Sequence, residues 1–324
     1  MKGGDYREMK KLIAITMAVV LLLAMIVSAP VAAKPAVWHV PVDFATIQEA
    51  LDSTDVADGD TILVGPGNHA GTLVTRAVEI KGKGGAVIND GPVYYDGLIF
   101  GFLLLAGSDG TTISHLRFEV DFPIMGSLVN DVTVKHCTLI SPIQGISNWG
   151  GSGWQISHNN IVDLRTACGG GIGILIADWT AVTEGVRDNL VSHNKITGTL
   201  HVATDDCGGY DGAGINLYAD FRWEAPGAVA IADNRVVHNK VSLTSDNPTV
   251  VDIAAIALED TRDDDTADPY PVIFDNVIGF NDLRGTELQI DLLPEELDED
   301  NIISRNLGDN RGHGIVPADI FRPA

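Results

Sequence analysis

From residue 61 onward, apolar side chains alternate with polar ones over short runs, and helical spacing is absent. The runs are rich in Val and Ile and punctuated by Asn and Gly, which predicts short strands joined by tight turns. One phrase keeps returning: "ISHNNIVD" at 156–163, "VSHNKITG" at 191–198 and "VVHNKVSL" at 236–243. "ISHLRF" (113–118) and "VKHCTL" (134–139) fit the same template upstream, and "IGFNDL" (278–283) and "ISRNL" (303–307) fit it downstream. The aligned middle residues are Leu116, Cys137, Asn159, Asn194, Asn239, Asn281 and Asn306, at spacings of 21, 22, 35, 45, 42 and 25. A constant phrase at variable spacing describes a fixed coil that carries loops of different length. A coil of roughly 22 residues holds about three short strands and three turns. The Asn is expected in the left-handed turn conformation, with stacked Asn side chains bonding along the column.

A second phrase follows successive Asn positions: "GIGILIAD" (171–178), "GAGINLYAD" (212–220), "IAAIALED" (253–260) and "ELQID" (287–291). It predicts the next strand of each coil. Long loops then fall at 164–170, 199–213 and 242–252 before that strand, and at 179–188, 221–229 and 261–271 after it.

On these phrases the chain resembles the right-handed parallel β-helix proteins of the pectin-lyase-like superfamily, over roughly residues 40–310. The entry stretch "DFATIQEALDSTDVADGDTILVGPGNHAG" (43–71) resembles the start of many such domains. The resemblance implies an all-β, single-stranded solenoid in which "ATIQEALD" forms a short N-terminal capping helix and "GDTILVGPG" the first strand and turn. It does not imply one activity, since that fold hosts lyases, hydrolases and non-enzymatic surface proteins. The expected organisation is a signal peptide over 1–33, a cap over 34–60, the β-helix over 61–310 and a tail over 311–324.

The signal peptide is read from Lys10-Lys11 followed by an apolar run, 12–33, with small residues Val31 and Ala33 before the cleavage point. The run is also long enough to serve as an uncleaved anchor, and Met9 would serve as a start as well as Met1. The formal net charge is −23, and loss of 1–33, with four basic and two acidic side chains, takes it to −25. That excludes nucleic acid and anionic membranes as expected partners. A monomer without a membrane span in the mature chain is expected. Three cysteines leave one over. Cys137 occupies the Asn position of its coil and is expected to be the free thiol. Cys168 and Cys207 precede the second phrase in adjacent coils, about 4.8 Å apart if in register, and are expected to pair.

Candidate chemistry lies on the flank where the second phrase ends. Asp178, Asp220 and Asp260 recur there and form a candidate calcium site, with Asp291 following. Trp179, Tyr210, Tyr218, Phe221 and Trp223 stand beside them, the aromatic-plus-carboxylate mixture that sugar sites use. Asp205, Asp206 and Asp211 are the candidate catalytic carboxylates. "ATDDCGG" (203–209) and "GHG" (312–314) resemble polygalacturonase elements, but their spacing differs and that family's flanking elements are missing. The superfamily also includes proteins of copper handling, which draws attention to the column His115, His136, His158, His193 and His238. Ligands on one column at strand spacing do not give tetrahedral or square-planar geometry, so turn-adjacent, hydrogen-bonded His is the expectation. The resulting reading is a secreted or cell-surface protein binding polysaccharide on an acidic, aromatic flank without catalysis. The alternatives are a polysaccharide lyase or glycoside hydrolase, and copper handling.

Overall fold

A computed structural model describes residues 34–93, 97–178, 185–221, 230–261, 272–293, 297–308 and 310–312. The chain divides into two units after Pro35. The expected signal peptide lies outside the described residues, as does most of the tail.

Each coil visits three sheets in turn. The coil from Gln155 shows the pattern: Gln155–Ser157 lies in the first sheet, Asn160–Arg165 in the second and Ile172–Asp178 in the third. Equivalent strands of successive coils pair in parallel. Among the described residues this gives sheets of ten, seven and nine strands, plus a fourth of three short strands, Val186–Arg187, Ile231–Ala232 and Ile273–Phe274. The fold is therefore an all-β parallel solenoid. A whole strand of the second sheet separates the His-Asn phrase from the second phrase. Strand Lys195–His201 takes in the first residues of the expected 199–213 loop, and Lys240–Ser245 those of the 242–252 loop.

The interior is built from stacked rows. Ile62, Ile80, Ile113, Val134, Ile156, Val191, Val236 and Ile278 stand in register along the first sheet. All are 0–1% exposed. β-Branched side chains suit such a row because they are stiff and pack on a pleated surface. Each fully buried one contributes roughly 1.5–3 kcal/mol of transfer free energy. Helix Ile47–Asp52 packs beside the first strands, Val37–Val40, Thr61–Val64 and Thr72–Val74, with Ile47, Ala50 and Leu51 buried. Thr46 accepts from the Glu49 N–H at its N-terminus. Gln48 then accepts from the N–H of Leu73, on the outermost strand of the third sheet.

The left-handed conformation falls on the residue before the Asn. His115, His136, His158, His193, His238, Phe280 and Arg305 all have φ between 55° and 61°. The expectation of a left-handed Asn is corrected on this point. The reason is the job of the Asn side chain, which must point inward. Asn194 Oδ1 accepts from the Asn159 N–H, and Asn239 Oδ1 accepts from the Asn194 N–H, each at 3.0 Å. Asn194 Nδ2 donates to the Ile156 carbonyl at 2.8 Å. The ladder runs from Cys137 to Asn306. His is among the residues that tolerate the left-handed turn.

A second ladder borders the other edge of the first sheet. The Trp154 N–H donates to Asn189 Oδ1, and the chain continues through Asn234 and Asn276 to Asn301. Here the left-handed residues preceding Asn189, Asn234 and Asn276 are Asp188, Asp233 and Asp275.

The ladder yields a prediction about stability. Asn194→Ala orphans the Asn159 N–H and the Ile156 carbonyl inside the column and should destabilise by about 2–4 kcal/mol. His193→Asn keeps a residue suited to the left-handed turn and should stay within about 0.5 kcal/mol, whereas His193→Val should cost about 1–2 kcal/mol. Urea unfolding of the three variants ranks them. Equal midpoints for Asn194→Ala and the parent would remove the ladder from the account.

Candidate functional site

The third sheet has two buried faces. At its start, Gly145, Gly173 and Gly214 stack so closely that an added Cβ would meet the next coil's carbonyl oxygen at 2.4, 2.5 and 2.7 Å. This explains the recurrent Gly of the second phrase as a close backbone approach. Beyond it, Ile174, Ile176, Ile215 and Leu217 face the column. On the outer face, Phe122, Met125, Trp149, Ile172, Leu175 and Tyr218 form a separate buried cluster. The Trp149 and Tyr218 rings lie 6.5 Å apart, edge to face.

Polar side chains are set into that outer face. Gln144 donates to Ser147 Oγ at 2.9 Å, and Asn216 Nδ2 donates to Glu259 Oε2 at 2.9 Å. Glu259 stands in register with Tyr218 and is 1% exposed. Glu259, Asn216 and Gln144 were not singled out from the sequence. Their signal is parity, since Asn216, Tyr218 and Glu259 occupy outward positions of an alternating strand.

The recurring acids are not one row. Asp178 and Asp260 both stand in register with Ala219, and Asp220 lies one residue further along. A one-residue step moves a side chain to the other face of a strand. Asp178 and Asp260 are thus two coil spacings apart, about 10 Å at the backbone. Asp291 stands in register with Ala257, three residues before Asp260. Asp178 and Asp220 are fully buried and Asp260 nearly so. Among the described residues, no group of three or more His, Cys, Asp and Glu is arranged to hold a metal ion. Phe221 is half-buried, and its N–H donates to Thr261 Oγ1. Trp179 and Trp223 lie outside the described residues.

The 202–211 loop is held by Cys168–Cys207, with Cα atoms 4.8 Å apart. Cys137 is a free, buried thiol pushed up to about 12 by that burial. Asp206 is the hub of the loop. Its carboxylate accepts from the N–H groups of Cys168 and Gly208 and from the Tyr210 hydroxyl, at 2.9–3.0 Å, and from Thr166. Burial would push this carboxyl up, but the four donors outweigh it and hold it below the usual Asp range. Tyr210 is 1% exposed and accepts from the Gly169 N–H. Burial first, and the Asp206 charge second, push its hydroxyl well above the ordinary tyrosine value. Asp205 is exposed and Asp211 half-buried at the rim of the same loop.

Two predictions follow from the loop. The disulfide spans 39 residues, so its loss in Cys168→Ala/Cys207→Ala should cost up to about 4 kcal/mol on loop-entropy grounds. Thermal melts of the oxidised parent and the variant measure it, and superimposable melts would deny the bond a role. Asp206 has a folded-state pKa below its unfolded value of about 3.9. Its stabilisation is therefore present above about pH 4 and fades as pH falls through the folded value. The parent should lose more stability between about pH 5 and 2 than Asp206→Asn does. Parallel acid profiles for the two would refute that role.

Comparison with known proteins adds one link. The chain is similar to a cell surface glycoprotein of Methanothermus fervidus, 45% identical over 47 residues, which cover 14% of this chain and 8% of that protein's length. No protein-family profile matches the chain. No solved structure matches it either.

Proposed function

We propose that this is a secreted or cell-surface protein, built on a right-handed parallel β-helix of the pectin-lyase-like kind, that binds carbohydrate at the flank of its third sheet without catalysis. The right hand is the one that parallel crossovers adopt in nearly every case. The helix Ile47–Asp52 serves as its cap, and residues 1–33 serve as a signal peptide removed on export. The segment shared with a cell surface glycoprotein supports the surface location.

The observation that carries the reading is the make-up of the outer face. Two aromatic rings, two amides and a carboxylate from three strands, Gln144–Trp149, Gly212–Ala219 and Ile253–Asp260, line that face through Trp149, Tyr218, Gln144, Asn216 and Glu259. Rings pack on the C–H faces of sugars, while amides and acids take the hydroxyls. These side chains are buried, so a sugar chain meets the flank at its two borders, Asp205 and Asp211 before the strand Gly212–Ala219 and half-buried Phe221 after it. The absence of catalysis is supported by Asp206, whose carboxylate is committed to four donors of its own loop. Such a group is a brace rather than an acid–base catalyst poised near neutral pH.

The test is calorimetry of the full chain with neutral oligosaccharides, run beside an assay for chain cleavage. Binding without cleavage, weakened several-fold by Phe221→Ala and Asp205→Asn, is the expected result. Cleavage abolished by Asp205→Asn would make the protein an enzyme instead. No binding to any neutral sugar would leave the flank without this role.

A further inference from the structure

The turn between the first and second sheets carries a ladder of five imidazoles. His115, His136, His158, His193 and His238 follow one another on successive coils, each left-handed and solvent-exposed. Their ring centroids lie 5.0–5.2 Å apart, and the His158 and His193 rings are parallel to within 2°. Phe280 continues the stack at 5.2 Å, and the Arg305 guanidinium lies over Phe280 at 5.3 Å. Neutral rings at this separation attract. Charged rings at the same separation repel, because it is shorter than the Debye length of about 8 Å at about 0.15 M salt. No counter-ion stands by to offset that repulsion. The first-sheet row one residue before the ladder holds Lys81 and Lys135 among Ser, Val and Gly. Lys83 is a further cation in the coil before His115. The next row of that sheet holds Glu79, which accepts from Thr61, and Arg235. The second-sheet row two residues after the ladder holds Arg117, Lys195, Lys240 and Asp282. Asp282 is engaged by Arg284, Glu119 by Arg117, and Asp163 by the Thr199 N–H. Among the described residues, none of the five imidazoles pairs with a carboxylate, in contrast to His39 with Asp43 and His201 with Asp246.

We propose that this ladder is a pH-sensitive device built into the fold: neutral imidazoles hold the turns of five coils together, and their protonation drives those turns apart. The device is independent of the carbohydrate flank, which lies on the third sheet. Histidine gains its charge as pH falls from about 8 to about 5. In the fold each new charge sits one ring spacing from the next imidazole, with lysines rather than free carboxylates beside it. In the unfolded chain that crowding is gone. The folded chain therefore binds fewer protons in this window, and its stability falls as pH falls. The stabilisation is fully present above the unfolded histidine value of about 6.5 and is lost as pH drops through the lower folded value. His136 shows the direction, held below the usual range by desolvation, then by His115, His158 and Lys135. Each ladder residue from His158 to His238 directly precedes an Asn whose backbone N–H is held by the next coil's Asn side chain. Repulsion at the ladder is thus delivered to the bonds that tie coil to coil. The Asp206 hub loses its charge only below about pH 4, so the two effects occupy separate pH windows.

Thermal melts of the full chain are recorded in low salt between about pH 7.5 and about pH 5.5, beside His136→Asn/His193→Asn. Asn suits the left-handed turn, and the variant leaves His115, His158 and His238 two coils apart, roughly 10 Å. His39 and His201 are the same in both proteins and cancel from the comparison. The parent should lose about 3–6 °C across this range and the variant less than about half as much. Raising salt to about 0.5 M should shrink the parent's loss. Equal losses in parent and variant overturn the proposal, as does a parent whose melting temperature holds or rises on acidification. Where the variant fails to fold, proton NMR titration of the parent's imidazole C–H signals decides. Mutual repulsion should spread proton uptake by the ladder over more than about two pH units. Five independent titration curves of ordinary width overturn the proposal without recourse to any variant.

Discussion

The carbonyl oxygen of one asparagine side chain accepting the backbone N–H of the equivalent residue in the preceding coil is the constraint on which the rest depends. A turn between parallel sheets leaves backbone groups unpaired inside the column, and each such group is costly there. The Asn side chain supplies an acceptor and two donors, enough to tie its own coil to the previous one. Asn194 does this with Asn159, Ile156 and Asn239 together. Because the bond links identical positions, it fixes register coil by coil. Fixed register is what lets the Ile and Val rows stack and what places the Gly row of the third sheet at its close approach.

Two such ladders border the first sheet, and the residue before the Asn turns left-handed at every rung but Asn301, where Asp300 ends a short helix. The choice of residue there is free of packing demands because the side chain faces solvent. Evolution can therefore write charge into that position without disturbing the column. Asp occupies it on one edge, at Asp188, Asp233 and Asp275, and His on the other. A purely architectural requirement thus gives the solenoid two chemically opposite edges.

The solenoid was legible because its main ladder repeats within a conspicuous phrase. The second ladder was in plain sight as Asp188-Asn189, Asp233-Asn234, Asp275-Asn276 and Asp300-Asn301, and Val186, Ile231 and Ile273 before three of these pairs, with Val191, Val236 and Ile278 after them, repeat the frame of the His-Asn phrase, whose own start they overlap. The strand Lys195–His201 was read partly as loop because Gly198 breaks its alternation and the adjacent strand shifts register between Val162 and Leu164. The acids of the flank were harder still. Aligning "GIGILIAD" with "GAGINLYAD" by their final Asp equates Asp178 with Asp220, yet the backbone pairs Asp178 with Ala219. One residue of offset decides which face an acid occupies, and a period of two gives no warning of it.

Loop anchoring follows the same economy. The coils differ in length because the loops before and after the third sheet differ, while the ladders keep the frame constant. A loop of that freedom contributes to a surface only if something stops it from sampling many conformations, which costs about 1–2 kcal/mol per fixed residue. The 202–211 loop meets this with a covalent tie at Cys207 and a carboxylate at Asp206 that gathers donors from Cys168, Gly208, Tyr210 and Thr166. The tie and the hub act on the same neighbouring coil, so the loop is fixed to the repeat beside it and not to a distant part of the chain. Exposed Asp205 and half-buried Asp211 are thereby presented at a set height on the flank. The solenoid thus converts local, repeat-to-repeat bonds into a long surface whose features are placed one coil at a time.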